Sequence, residues 1–234
     1  MNTAIVVFAD VTKSEVRSKK LLPELNEQAN LELLRYMTNA TCQLAKSTGM
    51  PVLHVNGALQ LGRTFGERIQ SAFQHAFNQG FENVVVIGND CAGLQTDDLL
   101  HAASIAQSNK VALGPDLRGG TWLIGLNNQA FAQTNLTLFN WQKKSLFSEL
   151  VAHFGPENTT ELSAKIDLNS ERDLRAYKQL LSADYSLNLE HTIFLHFLNS
   201  LLCLEQSKAL EIANHESLFV QKKHMRAPPQ WQAA

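Results

Sequence analysis

The stretch Val84-Val85-Val86-Ile87-Gly88-Asn89-Asp90-Cys91 decides how this chain folds. Four consecutive β-branched apolar residues are stiff at χ1 and too few for a helix, so they read as a strand buried on both faces. Gly88 ends the run, and a carboxylate follows at once. In open α/β sheets, ligands bind beyond the carboxyl ends of the strands. Asn89-Asp90 therefore has two readings. It is either a turn capping a helix that begins near Thr96, or a catalytic or metal-binding group presented at a strand end.

The flanking sequence supplies the rest of such a sheet. Ala4 to Ala9 and Val52 to Val55 read as strands, and so do Val111 to Leu113 and Thr121 to Ile124. Between them, helical spacing runs from Asn26 to Ser47, from the Arg68 region to Gly80, and from Thr96 to Ser108. Gly49-Pro51, Gly80 and Gly114-Pro115 punctuate the pattern. Later segments read as a helix from Trp141 to Phe154, an edge strand within Ser163 to Leu168, and a helix from Glu171 to about Leu181. Strand–helix alternation predicts an α/β fold with a mostly parallel sheet and helices on both faces. Beyond Asp184 the character changes. Ile193, Phe194, Phe197, Leu198, Leu201, Leu202 and Leu204 form an apolar helical pattern, and the tail from Gln221 is basic and proline-bearing. The expected division is a domain over 1–183 and a helical extension over 184–234 that packs on the domain or on a second subunit.

The 234 residues are 44% hydrophobic, enough for a full core, and carry a net charge of −2, which does not point to nucleic acid or an anionic membrane. Cys42, Cys91 and Cys203 are far apart and odd in number, so no disulfide framework or structural zinc site is expected. No basic leader or membrane-length apolar run is evident, and the expected setting is the cytoplasm. No P-loop, G-x-G-x-x-G, H-E-x-x-H or G-x-S-x-G motif occurs, and His191 and His196 are off one another's helical face.

Three constellations carry chemistry. In Gln60-Leu61-Gly62-Arg63-Thr64-Phe65-Gly66-Glu67-Arg68 the glycines permit close backbone approach, and Arg63 and Arg68 can grip phosphate oxygens ahead of a helix N-terminus. A turn with Glu67 and Arg68 in a surface ion pair is the alternative. Gly114-Pro115-Asp116-Leu117-Arg118-Gly119-Gly120 is either a wall against a substrate or a plain hairpin, with Arg118 a candidate anion contact. Asp167 follows the predicted edge strand as a second strand-end carboxylate, unless it caps the next helix. Two carboxylates sharing a metal with substrate phosphates make a workable Mg²⁺ or Mn²⁺ site.

Taken in order, these motifs resemble the DUF2064, or "transferase 1", glycosyltransferase-like family, which has a GT-A-like fold. Gln60 to Arg68 is similar to its Q-x-G-x-x-L-G-E-R, and Val85 to Leu94 to its V-V-x-I-G-[ST]-D-C-P-x-L. Gly114 to Leu126 resembles its G-P-A-x-D-G-G-Y-Y-L-I-G-L, and Ile166 to Leu174 its D-x-D-T-x-x-D-L. Three departures stand out. The first loop, Lys13 to Leu21, keeps basic residues but lacks the proline and glycine of P-x-x-G-x-x-K-T-R-L; Ala92 replaces a proline; and Arg118 stands where the family has an aspartate.

The resemblance implies a transferase acting on a nucleotide-diphosphate sugar with a divalent cation. Asp90 and Asp167 would hold the metal. Arg17 and Lys19 would hold donor phosphates, Gly62, Arg63, Arg68 and Asn89 would contact the nucleotide donor, and Gly119, Gly120, Asp116 and Arg118 would face the acceptor. Asp90, Asp116 and Arg118 are the catalytic candidates. A nucleotidyltransferase acting on a phosphorylated small molecule and a non-catalytic binding protein of the same fold are the competing readings. A homodimer through the C-terminal helix is a further expectation.

Overall fold

The computed structural model describes residues 2–19, 21–183, 193–201 and 203. It divides into two compact units, Met1–Asp184 and Tyr185–Ala234. In the first unit the strands are β1 (Thr3–Phe8), β2 (Val52–Val55), β3 (Asn83–Ile87), β4 (Cys91–Ala92), β5 (Val111–Pro115), β6 (Thr121–Asn127), β7 (Thr159–Glu161) and β8 (Ile166–Asp167). The helices are α1 (Lys13–Lys19), α2 (Glu27–Ser47), α3 (Phe65–Asn78), α4 (Thr96–Gln107), α5 (Asn128–Ala132), α6 (Leu146–Phe154) and α7 (Glu171–Ala183). In the second unit, 193–201 is helical. The basic, proline-bearing tail from Gln221 lies outside the described residues.

The six-stranded sheet has the order β2-β1-β3-β6-β5-β7. β1 pairs in parallel with β2 and β3, and β5 with β7, while β6 runs antiparallel to both β3 and β5. Five strands thus share one direction, and their carboxyl ends share one edge. The mostly parallel α/β expectation holds.

Alternation along the central strands builds two cores. Val6, Phe8, Val84 and Val86 join Ile69 and Phe73 of α3 and Phe131 of α5 on one face. Ile5, Val7, Val85 and Ile87 join Leu44 of α2 and Leu99 and Ala102 of α4 on the other. A strand covered on both faces must be apolar at every position, which is why residues 84–87 carry no polar break. β6 runs through Gly125, not ending there as its sequence suggested. A β-carbon at Gly125 would meet the Ala112 Cβ at 3.0 Å, with the α4 carbonyl of Ala102 at 3.6 Å. The glycine is therefore a packing contact between strand and helix.

Two other boundaries differ from expectation. The helix predicted from Trp141 begins at Leu146. The Trp141 indole donates instead to the Leu136 carbonyl at 2.6 Å, and a β-carbon on Gly66 would meet its Nε1 at 2.7 Å. Trp141 is thus a wedge between the turn before α6 and the start of α3. Among the described residues, the predicted edge strand at 163–168 touches the main sheet only through an isolated bridge between Lys165 and Asp116. Its segment β8 pairs antiparallel with β4, with Cys91 opposite Asp167.

Candidate active site

Asp90 lies just past the carboxyl end of β3, and Asp10 and Asp116 hold the corresponding positions after β1 and β5. Each carboxylate is packed against a glycine. A β-carbon on Gly88 would meet Asp90 Oδ1 at 2.7 Å, on Gly57 Asp10 Oδ2 at 2.7 Å, and on Gly120 Asp116 Oδ2 at 2.5 Å. The Leu168 amide donates to the Asp90 carbonyl at 2.8 Å. This bond and the Cys91–Asp167 pairing place Asp167 beside Asp90. On its other side, the 165–168 segment bonds to the loop after β5: Leu117 N–H donates to the Lys165 carbonyl, and Lys165 N–H to the Pro115 carbonyl, both at 3.1 Å. Asp116 is drawn towards the same group.

Asp167 is 8% exposed, and among the described residues its Oδ1 has no hydrogen-bond partner. Burial, then the charges of Asp90 and Asp116, push its carboxyl up from 3.8 to about 8, against the opposing pull of Lys19 and Arg118. Near neutral pH this side chain therefore calls for a proton or a cation.

Lys19 provides one cation close by. Its ammonium donates to Asp90 Oδ2 at 3.1 Å and Asn89 Oδ1 at 3.4 Å, and pairs with Glu15 Oε1 at 3.3 Å. Burial pulls Lys19 down, yet the Asp90 and Glu15 charges outweigh it and hold the ammonium above its ordinary value. Burial raises Glu15, with Lys19 opposing it and Asp90 and Asp10 adding to the rise. Asn89 is 5% exposed and donates to Thr38 Oγ1 of α2 at 2.8 Å. Asn169, its amide oriented by its neighbours, donates to Asp90 Oδ2 at 3.2 Å and accepts from Arg118 Nη2 at 3.0 Å. The Cys91 thiol is held well above its ordinary value by burial and by Asp167, so it is no nucleophile.

The structure brings Asp90, Asn89, Lys19, Asp167, Asp116 and Arg118 into one cluster. Asp10 and Glu15 belong to it and were not singled out from sequence. Arg118 has the structural purpose that its sequence position did not reveal. Its Nη1 bonds both carboxylate oxygens of Asp173, at 3.2 and 3.0 Å, and its Nη2 donates to the Asp167 carbonyl at 2.9 Å. It ties the β5–β6 turn to the start of α7.

Gly119 and Gly120 form a turn capped by Asp116, whose Oδ1 accepts from Gly120 N–H at 3.1 Å. Gly119 has φ +89°, and its carbonyl accepts from Phe147 N–H at 3.0 Å. Arg17 pairs with Glu27 of α2 at 3.1 Å and is 71% exposed.

Gly62 and Arg63 lie in the loop after the carboxyl end of β2, and Arg68 lies in the first turn of α3 that follows it. Gly62 has φ +134°. Glu67 does not pair with Arg68. Its carboxylate accepts from the backbone of Arg63 and Thr64, at 2.6 and 3.0 Å, and Thr64 Oγ1 accepts from Glu67 N–H at 3.2 Å. This is a capping box that fixes the start of α3. Arg68 lies over the Phe65 ring at 5.8 Å, and among the described residues its Nε has no partner.

Among the described residues, no group of three or more His, Cys, Asp or Glu side chains is arranged to hold a metal unaided. A hard cation that keeps one or two carboxylates and takes its other ligands from substrate phosphates suits the Asp90–Asp167 pair. The unpartnered Asp167 oxygen is the observation that meets that requirement. No helix among the described residues is long and apolar enough to cross a membrane.

Solved structures share the architecture. A candidate nucleotide-diphospho-sugar transferase from Desulfovibrio desulfuricans G20 matches with a TM-score of 0.68 at 19% identity, over 87% of this chain and 98% of that one. A cytidylyltransferase from Leptospira borgpetersenii serovar Hardjo-bovis matches at 0.42 and 12% identity, over 86% and 94% of the two chains. Rv0371C from Mycobacterium tuberculosis H37Rv, in complex with manganese, matches at 0.42 and 16% identity, over 79% and 100%. The first of these shows the fold to be GT-A-like. No curated protein matches the chain. The model of a family described as uncharacterized protein conserved in bacteria, DUF2064, matches residues 24–142, just over half the chain. With the sequence motifs and the fold in agreement, the chain belongs to the DUF2064 family.

Proposed function

We propose that the carboxyl edge of the sheet binds a nucleotide-diphosphate sugar together with Mg²⁺ or Mn²⁺ and transfers the sugar to an acceptor. The observation that carries this reading is the buried, unpartnered carboxylate oxygen of Asp167 beside Asp90. In this reading Asp90 and Asp167 hold the cation. When bound, it neutralises the negative charge that develops on the diphosphate leaving group.

The chain's own residues supply position and charge. Lys19, and Arg17 from its exposed position on α1, meet the donor phosphates. Asn89 fixes Lys19 through its bond to Thr38. Gly62, Arg63 and Arg68 contact the nucleotide, the glycine permitting close backbone approach and the arginines bonding anionic oxygens. Asp116 with Gly119 and Gly120 forms the acceptor side. Asp116 spends Oδ1 on the turn, which leaves Oδ2 for an acceptor hydroxyl. Arg118 holds this wall against α7 through Asp173. In the transfer, the bond from the anomeric carbon to the phosphate oxygen breaks, that carbon bonds to the acceptor oxygen, the acceptor's hydroxyl proton passes to Asp116 Oδ2, and the nucleoside diphosphate leaves.

The short helix α1 after β1, without a glycine-rich phosphate loop, favours a diphosphate donor over nucleotidyl transfer from a triphosphate. A second reading, binding without catalysis on the retained fold, draws on Arg118. A guanidinium locked to Asp173 occupies the place where the family motif has an acidic side chain.

Product analysis separates the readings. The chain is incubated with a panel of nucleotide sugars, candidate acceptors and Mn²⁺, and in parallel with nucleoside triphosphates. The expected result is Mn²⁺-dependent release of nucleoside diphosphate, lost in Asp90→Ala. Pyrophosphate release from triphosphates would establish nucleotidyl transfer instead. Nucleotide-sugar binding without turnover across the panel would favour the non-catalytic reading.

A further inference from the structure

The Lys19 ammonium sits in a cage of oxygens. Its side chain is 10% exposed, and among the described residues its acceptors are Asp90 Oδ2, Glu15 Oε1 and Asn89 Oδ1, at 3.1, 3.3 and 3.4 Å. Three acceptors match the three protons of an ammonium. The cage is fixed from three elements. Glu15 lies one helical turn before Lys19 on α1, Asp90 follows β3, and Asn89 is anchored to α2 through Thr38. The same Asp90 carboxylate is the cation ligand of the proposed function, and the inference rests on that reading. A divalent cation and an ammonium on one carboxylate repel each other strongly at this range, even at the effective dielectric of a protein interior.

We propose that Lys19 is a displaceable internal counter-ion of the cation site. It neutralises Asp90 until a divalent cation takes that carboxylate, and its ammonium then turns to the phosphate oxygens of the donor. Cation and nucleotide thereby bind as a coupled pair, because each compensates for the displacement that the other causes. The element that must give way is α1, seven residues long with Val16 as its buried side chain. Ion pairs of Lys13 and Arg17 with Glu27 tie it to α2, and both basic side chains are 71% exposed. Such exposed pairs resist displacement weakly.

The test measures Mn²⁺ binding to the full chain by the electron paramagnetic resonance signal of free Mn²⁺, in wild type and in Lys19→Met. With Mn²⁺ alone, Lys19→Met should bind at least ~10-fold more tightly, since a unit positive charge next to the site has gone. Nucleoside diphosphate should then tighten Mn²⁺ binding in wild type and do so far less in the variant. A second measurement needs no variant. Pulse acetylation of wild type, with Lys19 resolved from Lys20 by fragment mass spectrometry, should show Mn²⁺ raising Lys19 reactivity and added nucleoside diphosphate lowering it again. Equal or weaker Mn²⁺ binding in Lys19→Met, or Lys19 reactivity unmoved by saturating Mn²⁺, would overturn the proposal. Release of Lys19 by Mn²⁺ with no response to any nucleotide sugar would sustain the counter-ion role and remove the transferase reading. A nucleotide-sugar response with Lys19 unmoved would do the reverse.

Discussion

Replacing Asp167 by Asn should make the protein more stable at alkaline pH while leaving acid stability nearly unchanged. The folded state holds the Asp167 carboxyl at about 8, against an ordinary value of 3.8. A folded value above the unfolded one means the native state binds the proton more tightly. Stability is therefore fully present below about pH 4, falls as pH rises towards 8, and levels off above it. At ~1.4 kcal/mol per pH unit, the whole window corresponds to a ceiling on the order of 5 kcal/mol. Asn cannot ionise, so it removes this slope. The amide's need for a new partner is the same at every pH and cancels in the comparison, while repulsion from Asp90 is shared with Lys19, so an advantage of about 2–4 kcal/mol at pH 8.5 over pH 5 is expected. For a unit of this size that is a difference on the order of 5–10 °C in Tm. Thermal unfolding of both proteins from pH 4 to 9 is the assay. A Tm difference that stays constant across pH, or a variant less stable at pH 8.5 than at pH 5 relative to wild type, would refute the assignment of Asp167 as a buried, charge-crowded carboxyl.

Two further changes test how the site is held. Thr64→Ala removes the N-cap of α3 and one half of its capping box, and should cost about 1 kcal/mol in urea unfolding without altering Mn²⁺ binding. Lys165→Met breaks a half-buried pair with Asp98 at 2.8 Å and a bond to the Gly93 carbonyl at 2.9 Å. It should cost roughly 2–3 kcal/mol by the same measurement, because Asp98 loses its partner at 18% side-chain exposure.

The sheet was legible because its central strands are apolar at every position and its helices carry one apolar stripe each. The carboxyl edge followed from strand direction alone, which is how Asp90 could be named; Asp167 was expected to follow an edge strand, whereas it lies within β8, paired with β4 outside the main sheet. What the sequence hid is short or long-range. α1 has one buried residue, Val16, and so no periodicity to read. β4, β7 and β8 are two or three residues long, below the length at which alternation means anything. Asp10 was readable by the rule applied to Asp90, since it too follows a strand of the same direction. Glu15 and Asn169 were not, because their partners are set by tertiary contact. The Arg118–Asp173 pair was hidden because Asp173 lies 55 residues away in sequence and no local pattern announces it. The GT-A-like fold and the family agree with the resemblance carried by the motifs, while the roles given to individual site residues stand as proposals.

The central claim is that Asp90 and Asp167 bind a cation jointly with a nucleotide-diphosphate donor. The most direct measurement is thermal unfolding of wild type and Asp90→Ala across a nucleotide-sugar and nucleoside di- and triphosphate panel, with and without Mn²⁺. A ligand at 100 times its Kd stabilises by about 2.7 kcal/mol, which for this domain is a rise of roughly 5 °C or more. The account predicts that rise for at least one sugar nucleotide, only with Mn²⁺ present, and its loss in Asp90→Ala. An undiminished rise in Asp90→Ala, or no rise from any nucleotide in wild type, would contradict it.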